Sequence, residues 1–178
     1  MSTHSAHRRR SPDSVDRWAY RFDGPRSDPS VADRRIGSMD TANALVVRRM
    51  FEEVVNGKRL DLVEELLAPD YVNHDMPTPA PGPEGMRQTL GMFFAAFPDM
   101  HVEIDHVIAD SDLVCSHGRF TGTHRGDFMG VPASDRAVAV EYIDVWRFVD
   151  GKGAENWVRL DMLGLLEQIG AVSVPARG

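Results

Sequence analysis

Two carboxylates near the C-terminus stand out because each lies among apolar residues of a predicted strand. Asp144 is flanked by isoleucine and valine in "VEYIDVWRFVD", and Asp161 is flanked by leucine and methionine in "AENWVRLDMLGLL". Burying an ionised carboxylate without a partner is costly, so such a group gains hydrogen bonds or shifts its pKa. A carboxyl group with a raised pKa can take up and return protons near neutral pH. The pair therefore predicts either two satisfied structural acids or a proton-transfer site facing a cavity.

A second polar group lies in "YVNHD", which brings Asn73, His74 and Asp75 together on one loop. A neutral imidazole at His74 can polarise a carbonyl or shuttle a proton. The alternative is a loop network in which Asn73 and Asp75 form turns. His124, in "GTHRGDF", begins another loop and either anchors it or lies at a pocket mouth. The histidines and acids lack the spacing of metal ligands, so the sequence predicts no metal.

The elements that position these residues can be read from hydrophobic periodicity. Apolar residues at helical spacing predict a helix capped by Asp40 or Thr41 and ended by Gly57. A short second helix and a third, from about Pro83 to Phe97, follow. Beyond residue 99 the pattern alternates, and "DMHVEIDHVIAD" predicts a strand whose even-numbered residues share a face. "DGKG" between two later strands predicts a hairpin, and a short helix closes the chain.

Composition limits the classes of function. The chain has 178 residues and a formal net charge of −7, but residues 1–38 contain eight Arg and five Asp. We expect a disordered basic extension over 1–38, one folded domain over 39–172 and a flexible tail over 173–178. The acidic body argues against nucleic-acid binding, and the apolar runs are shorter than the roughly 18 residues of a membrane span. A single cysteine, Cys115, predicts no internal disulfide and a cytoplasmic location.

Helices followed by an antiparallel meander predict an α+β fold with a curved sheet and helices on one side. Four segments in this order carry a family likeness: "LLAPDYVNHD", "AAFPDMHVEIDHVIAD", "GTHRGDFMGVPASDRAV" and "YIDVWRFVDGKGAENWVRLDMLGLLEQIG". The chain resembles the SnoaL-like polyketide cyclases of the nuclear-transport-factor and ketosteroid-isomerase superfamily. The resemblance implies a cone-shaped antiparallel sheet packed with three N-terminal helices around an apolar pocket.

The resemblance also implies roles for individual residues. Asp161 falls where the family's acid/base aspartate lies, although an aspartate before a helix is also a common N-cap. Asp144 matches an Ile-Asp pair of the isomerases, in which a protonated aspartic acid donates to an oxyanion. A structural Asp144 bound to Arg147, Arg159 or a backbone group is the alternative. His74 is expected at the pocket rim, either lining the pocket or taking part in catalysis.

The remaining site residues are expected to contact substrate. Gly118 stands where relatives often carry an aromatic residue, so it is expected to widen or bend the pocket wall. Aromatic residues on curved strands are expected to line the cavity. The predicted substrate-binding residues are Asn73, Asp75, Gly118, Phe120, His124, Trp146 and Trp157.

The family likeness implies an enzyme of secondary metabolism that performs cofactor-free, aldol-type cyclisation of a hydrophobic polycarbonyl metabolite. Asp161 would be the acid/base, with hydrogen bonds from His74, Asn73 or Asp144 to the enolate oxygen. Two alternatives stay open: a non-catalytic protein that binds a small molecule, and a related isomerase, dehydratase or hydroxylase. Open sheets often pair through their outer faces, which predicts a homodimer.

Overall fold

The computed structural model describes residues 38–76 and 78–173, apart from the side chains of residues 38–40. The predicted extension over 1–38 and tail over 173–178 therefore lie, except for one residue each, outside the described part of the chain. The elements are α1 (Ser38–Arg49), which continues as a π-helix (Met50–Asn56), a 3₁₀ turn (Leu60–Leu62), α2 (Val63–Leu66), β1 (Leu67–Asn73), α3 (Gly82–Ala96), β2 (His101–Asp110), β3 (Leu113–Thr123), β4 (Ala137–Val149), β5 (Lys152–Leu160) and α4 (Met162–Ile169). In these residues no helix is long and apolar enough to cross a membrane.

The first helix matches its predicted extent at one end. It ends at Gly57, where a Cβ would lie 2.5 Å from the Glu53 carbonyl oxygen, so the close approach of the backbone favours glycine. Its start differs, because α1 begins at Ser38 and the predicted caps, Asp40 and Thr41, lie inside its first turn.

The sheet has the strand order β1-β5-β4-β3-β2. Strands β2 to β5 form the predicted antiparallel meander, and Asp150 and Gly151, with φ of 50° and 75°, make the two-residue turn of the β4–β5 hairpin. One pair departs from the prediction, since β1 is parallel to β5. A long connection that includes α3 separates β1 from β2, so no tight hairpin dictates its direction. The α+β class, with a curved sheet and helices before it, is confirmed.

Two bulges decide which residues face the helices. In β2 the pairing with β3 shifts between Ile104 and His106, which leaves Ile108 68% exposed and turns Val107 toward the core. The predicted shared face of the even-numbered residues is therefore wrong beyond Ile104. In β5 the pairing with β4 shifts between Arg147 and Phe148. Each bulge reverses the facing of every residue beyond it, because side chains alternate along a strand.

The interior is filled by two apolar clusters between the helices and the inner face of the sheet. One contains Phe97, Phe120, Val140 and Leu165, and the other contains Val54, Leu67, Val114, Trp146 and Phe148. Phe51 and Leu90 pack against both clusters. Residues of both clusters line a cavity.

Candidate active site

A cavity of about 120 Å³ lies between the first and third helices and the inner face of the sheet. Most of its wall is apolar: Met50, Phe51, Val55, Met76, Met86, Leu90, Phe93, Met100, Val102, Phe120, Trp146, Val158 and Leu160. Its polar lining residues are Asn73, Thr78, Thr89, Tyr142, Asp144 and Asn156. Among the described residues of this lining, Asp144 alone carries an ionisable carboxyl group. A mainly apolar lining with a few converging polar groups is typical of a small-molecule site, although this cavity is smaller than the roughly 300–1,000 Å³ of most ligand pockets.

The alternation of β4 places Asp144 in this wall. Every second residue from Val138 to Phe148 is buried, and Asp144 is 2% exposed. Its Oδ2 accepts a hydrogen bond of 2.6 Å from Trp146 Nε1, and its Oδ1 accepts one from the Ser116 hydroxyl of the neighbouring strand. Trp146 shares the face of Asp144 because it lies two residues further along the strand. The carboxylate is thus held from two sides.

Burial raises the pKa of Asp144 to about 6. Hydrogen bonds from Ser116, Trp146 and Asn156 favour the charged form and lower the pKa, but they offset only part of the effect of burial. A group with this pKa is mostly ionised at neutral pH and still takes up a proton at modest cost. Arg147 and Arg159, the predicted structural partners of Asp144, lie elsewhere. Arg147 pairs with Asp112 and Glu155 and Arg159 pairs with Asp75, so the alternative of an Asp144–arginine pair is wrong.

Two amides lie beside the carboxylate. Asn156 is 2% exposed, and its Nδ2 donates to the Val145 carbonyl at 3.2 Å. Asn73 Nδ2 lies 3.3 Å from Asn156 Oδ1, while Asn73 Oδ1 accepts from the backbone nitrogens of Asp75 and Met76. Asn73 therefore both lines the cavity and forms the turn after β1, which agrees with the prediction of a substrate-facing position and with the loop alternative.

Asp161 lies outside the cavity lining. Its side chain is exposed and caps α4, with Oδ1 accepting from the Gly164 nitrogen at 2.9 Å. A Cβ at Gly164 would lie 2.2 Å from Asp161 Oδ2, so the small residue leaves room for this cap. The expectation that Asp161 faces the cavity is not met, because the chain turns into the helix at this residue. The N-cap alternative describes its geometry.

His74 and Trp157 lie on the outer face of the sheet. The His74 ring stacks on Trp157 with ring centroids 4.6 Å apart, and its Nε2 lies 2.7 Å from Glu155 Oε2. The β5 bulge explains why Trp157 lies on the outer face of the sheet. An uninterrupted ladder from the Val149–Lys152 pair would place Trp157 opposite Asp144, whereas the observed partner of Asp144 is Val158. Neither aromatic ring lines the cavity as predicted.

Asp75 also has a structural position. Its Oδ2 accepts from the Val158 nitrogen at 2.9 Å, and its other oxygen pairs with Arg159. The Arg159 guanidinium, through this hydrogen bond, holds the pKa of Asp75 below its ordinary value. Asp75 fixes the loop to β5 and is absent from the described cavity lining, in contrast to its predicted contact with substrate.

Of the remaining predicted site residues, two line the cavity and two have structural roles. Phe120 and Trp146 line the cavity as expected. At Gly118 a Cβ would lie 1.9 Å from the Glu103 carbonyl oxygen and 2.9 Å from the Tyr142 ring. Glycine is therefore required by the β2 bulge and the covering tyrosine ring, and Gly118 does not open the wall. His124 is buried beside Phe97 with Nδ1 3.0 Å from the Ser134 hydroxyl, so it anchors its loop instead of lining the pocket.

Sequence reasoning missed Ser116, which donates to the carboxylate, and three polar residues of the cavity lining: Thr89, Tyr142 and Asn156. The signal for Tyr142 was present, since it lies two residues before Asp144 on the same alternating strand. Ser116 depends on the register of β3 against β4, and Asn156 depends on the β5 bulge. Within the described residues no three His, Cys, Asp or Glu side chains group as a metal site would need.

Comparison with known proteins places this chain in a known family. A family model described as SnoaL-like polyketide cyclase matches residues 45–169, and the chain belongs to this family. The nogalonic acid methyl ester cyclase of Streptomyces nogalater is 31% identical over 121 residues, which cover 65% of this chain and 88% of that protein. The aklanonic acid methyl ester cyclase DnrD of Streptomyces peucetius is 31% identical over 130 residues, 70% of this chain and 88% of that protein. The solved structure of TsrD from Streptomyces laurentii superposes with a TM-score of 0.69 at 26% identity, covering 74% of this chain and 97% of that one.

Proposed function

We propose that this protein is a cofactor-independent cyclase that closes a carbocyclic ring in the methyl ester of a polyketide acid by an intramolecular aldol reaction. The observation that carries the proposal is Asp144, a carboxylate with a pKa of about 6 in the wall of an apolar cavity. The two similar cyclases supply the substrate class, since both are named for methyl esters. An aldol reaction needs one proton removed and one returned, which a single carboxylate can do.

The proposed reaction begins with ionised Asp144, which removes a proton from a carbon flanked by carbonyl groups. The electron pair of that C–H bond forms an enolate, whose carbon attacks a ketone carbonyl of the same molecule. A carbon–carbon bond forms, the ketone π bond breaks, and its electrons become an alkoxide. Asp144 then returns its proton to the alkoxide, and the enzyme is regenerated. No atoms are gained or lost, so product and substrate are isomers.

The surroundings of Asp144 suit this cycle. Ser116 and Trp146 donate to the carboxylate and keep it ionised enough to act as a base. The apolar wall excludes water, which strengthens hydrogen bonds to charge that develops on the substrate. The Asn156 and Asn73 amides lie close to one another in the same wall. We propose that they orient the substrate carbonyls, as predicted for Asn73.

The acid/base role is assigned to Asp144 in preference to Asp161 on geometry. Asp161 is exposed, and its carboxylate is engaged with the Gly164 nitrogen at the start of α4. A general base must reach the proton it abstracts, either directly or through one water. His74 is likewise occupied on the outer face by Glu155 and Trp157. Neither residue is needed for the proposed cycle.

The decisive experiment incubates purified protein with nogalonic acid methyl ester and with aklanonic acid methyl ester. Because the product is an isomer, chromatography and NMR are needed to detect ring closure. We expect wild type and Asp161→Asn to cyclise at least one ester, and Asp144→Asn to lose activity by at least 10³-fold while still binding it. Asp144→Asn with activity near wild type would overturn the assignment. Binding of both esters without conversion by wild type would favour a binding protein instead.

We further propose that the protein is a cytoplasmic homodimer that pairs through the outer face of the sheet. Ile143 is 46% exposed on this face, beside the partly exposed Trp157 and its stacked His74. Covering an exposed apolar patch of this kind is a common reason for association. Sedimentation of wild type and Ile143→Glu tests this. We expect a dimer that the glutamate dissociates, and a monomeric wild type at micromolar concentration contradicts the proposal.

A further inference from the structure

Two hydroxyl groups in the cavity have no hydrogen-bond partner in the described part of the chain. They belong to Thr89 of α3, which is 7% exposed, and Tyr142 of β4, which is 5% exposed. Both residues line the cavity, one from the helix side and one from the sheet side. His124 Nε2 is the third such atom, but it lies outside the cavity lining. The unpaired hydroxyl groups of Thr89 and Tyr142 are therefore concentrated in the proposed active site.

A buried hydroxyl without a partner lowers the stability of the folded chain, because its hydrogen bonds to water have been lost. An apolar residue of the same shape would avoid this loss. A ligand oxygen that enters the cavity would instead supply the missing hydrogen bond. Two such groups on opposite walls can hold a flat molecule by oxygens at two of its edges.

We propose that Tyr142 and Thr89 bind two different oxygens of the substrate, Tyr142 holding the oxygen that becomes negatively charged beside Asp144 and Thr89 holding a second oxygen at the helix side. This inference rests on the proposed cyclase function, whose aldol step creates an enolate and then an alkoxide. It defines the substrate as a flat apolar molecule with hydrogen-bonding oxygens on two edges. It also makes Tyr142 a catalytic hydrogen-bond donor and Thr89 a binding residue.

The setting of Tyr142 suits a donor to an oxyanion. Its ring is fixed between the Gly118 backbone and Phe51, whose ring centroid is 5.3 Å away, so the hydroxyl is held before the substrate arrives. Burial raises the pKa of Tyr142 to about 12, so the hydroxyl keeps its proton at working pH. The Ser116 hydroxyl lies close enough to lower this pKa in part, but it donates its own hydrogen to Asp144 and does not meet hydrogen-bond geometry with the Tyr142 hydroxyl. It faces the same side of β4 as Asp144, two residues away.

The test uses variants that remove only the hydroxyl oxygen, or replace it by a methyl group. We expect Tyr142→Phe to lower kcat on the methyl ester by 10- to 100-fold with KM within threefold, because the lost bond is strongest in the transition state. We expect Thr89→Val to raise KM by three- to tenfold with little change in kcat. Both should melt at or above the wild-type temperature, since an unpaired buried hydroxyl is removed.

Matched controls remove hydroxyls outside the described cavity lining. Ser134→Ala deletes a hydroxyl that lies 3.0 Å from His124 Nδ1, and Thr121→Val deletes one that donates to the His101 carbonyl. Both controls should keep kcat and KM within twofold of wild type. If Tyr142→Phe and Thr89→Val also keep kcat/KM within twofold, the inference is wrong although the cyclase proposal stands.

A binding measurement separates this inference from the cyclase proposal. The probe is 1,8-dihydroxyanthraquinone, a flat tricyclic molecule with carbonyl and hydroxyl oxygens, titrated by fluorescence quenching. We expect each of the two variants to weaken its binding at least fivefold relative to wild type and the controls. If both variants bind the probe more weakly and wild type converts neither ester, Tyr142 and Thr89 bind ligand oxygens but the proposed cyclase function is refuted. Equal binding of the probe by wild type, variants and controls would refute the proposal that Tyr142 and Thr89 bind ligand oxygens.

Discussion

Ser116→Ala is the most direct perturbation of the proposed base. The Ser116 hydroxyl is completely buried and donates to Asp144 Oδ1 from the neighbouring strand. Alanine removes this one bond with almost no change in side-chain volume. A hydrogen bond to a charged group contributes about 1.5–3 kcal/mol, and each pKa unit corresponds to about 1.4 kcal/mol. Since the lost bond favours the ionised form, the pKa of Asp144 should rise by about one to two units.

The direction of the activity change depends on which form of Asp144 works. Starting from a pKa of about 6, the variant should titrate near pH 7.5, so the ionised fraction at pH 7 falls roughly fourfold. If Asp144 is the base, kcat/KM at pH 7 falls by this factor and recovers at pH 9. If the neutral acid were the working form, as in the isomerase alternative, activity at pH 7 would rise instead.

The assay is the pH profile of kcat/KM on the methyl ester from pH 5 to 9, together with the carboxyl carbon NMR titration of Asp144. Ser134→Ala is the matched control, because it removes the hydroxyl partner of His124 and leaves Asp144 untouched. The reasoning is refuted if Ser116→Ala is folded and the pKa on the acid side of its kcat/KM profile lies within 0.3 pH units of the wild-type value. A shift of equal size in Ser134→Ala would show that the effect is not local.

Three further predictions concern stability. The pKa of Asp144 in the folded protein lies above the ordinary 3.8, so folding favours the protonated form and the free energy of unfolding falls as pH rises from about 4 to 6. Urea unfolding of Asp144→Asn should therefore show a gain of about 1–3 kcal/mol over wild type at pH 8 and no gain at pH 3.5. Equal gains at both pH values would contradict this. Asp161→Ala should lose about 1 kcal/mol through its cap with kcat within twofold, so a tenfold fall in kcat would restore Asp161 to the mechanism. Gly118→Ala should lose more than about 2 kcal/mol in thermal unfolding, because its Cβ meets the Glu103 carbonyl, and a melting temperature near wild type would disprove the clash.

The parts of the fold that depend on local pattern could be predicted. Helical spacing located α1 and α3, and "DGKG" located the β4–β5 hairpin, because local periodicity and turn chemistry dictate these elements. The direction of β1 and the two bulges could not be predicted, since they depend on pairing between distant segments. Trp157 shows how an unpredicted bulge makes a site prediction wrong. One extra residue in β5 places its side chain on the outer face of the sheet instead of in the cavity.

The site was predictable in part for the same reason. An acid between apolar neighbours on a strand indicated Asp144 as either a satisfied structural group or a cavity residue, and in the structure it is buried, accepts two hydrogen bonds and lines the cavity. The identical argument failed for Asp161, because a residue at a strand end can turn into the next helix. Tyr142 could have been found by alternation once Asp144 was placed. Ser116 and Asn156 required the register of three strands.

The cavity groups and the scaffold groups of this protein should respond to substitution in opposite ways. Ionised Asp144 and the unpaired hydroxyls of Tyr142 and Thr89 each make the folded state less stable than an apolar or neutral residue would. The polar groups outside the cavity, such as Asp161 and Asp75, are paired and contribute to the fold. Selection for stability alone would have removed the cavity groups. Their presence is best explained by a ligand that supplies hydrogen-bond partners to the two hydroxyls and exchanges a proton with Asp144. This contrast, activity lost with stability gained, is the signature expected of a working site.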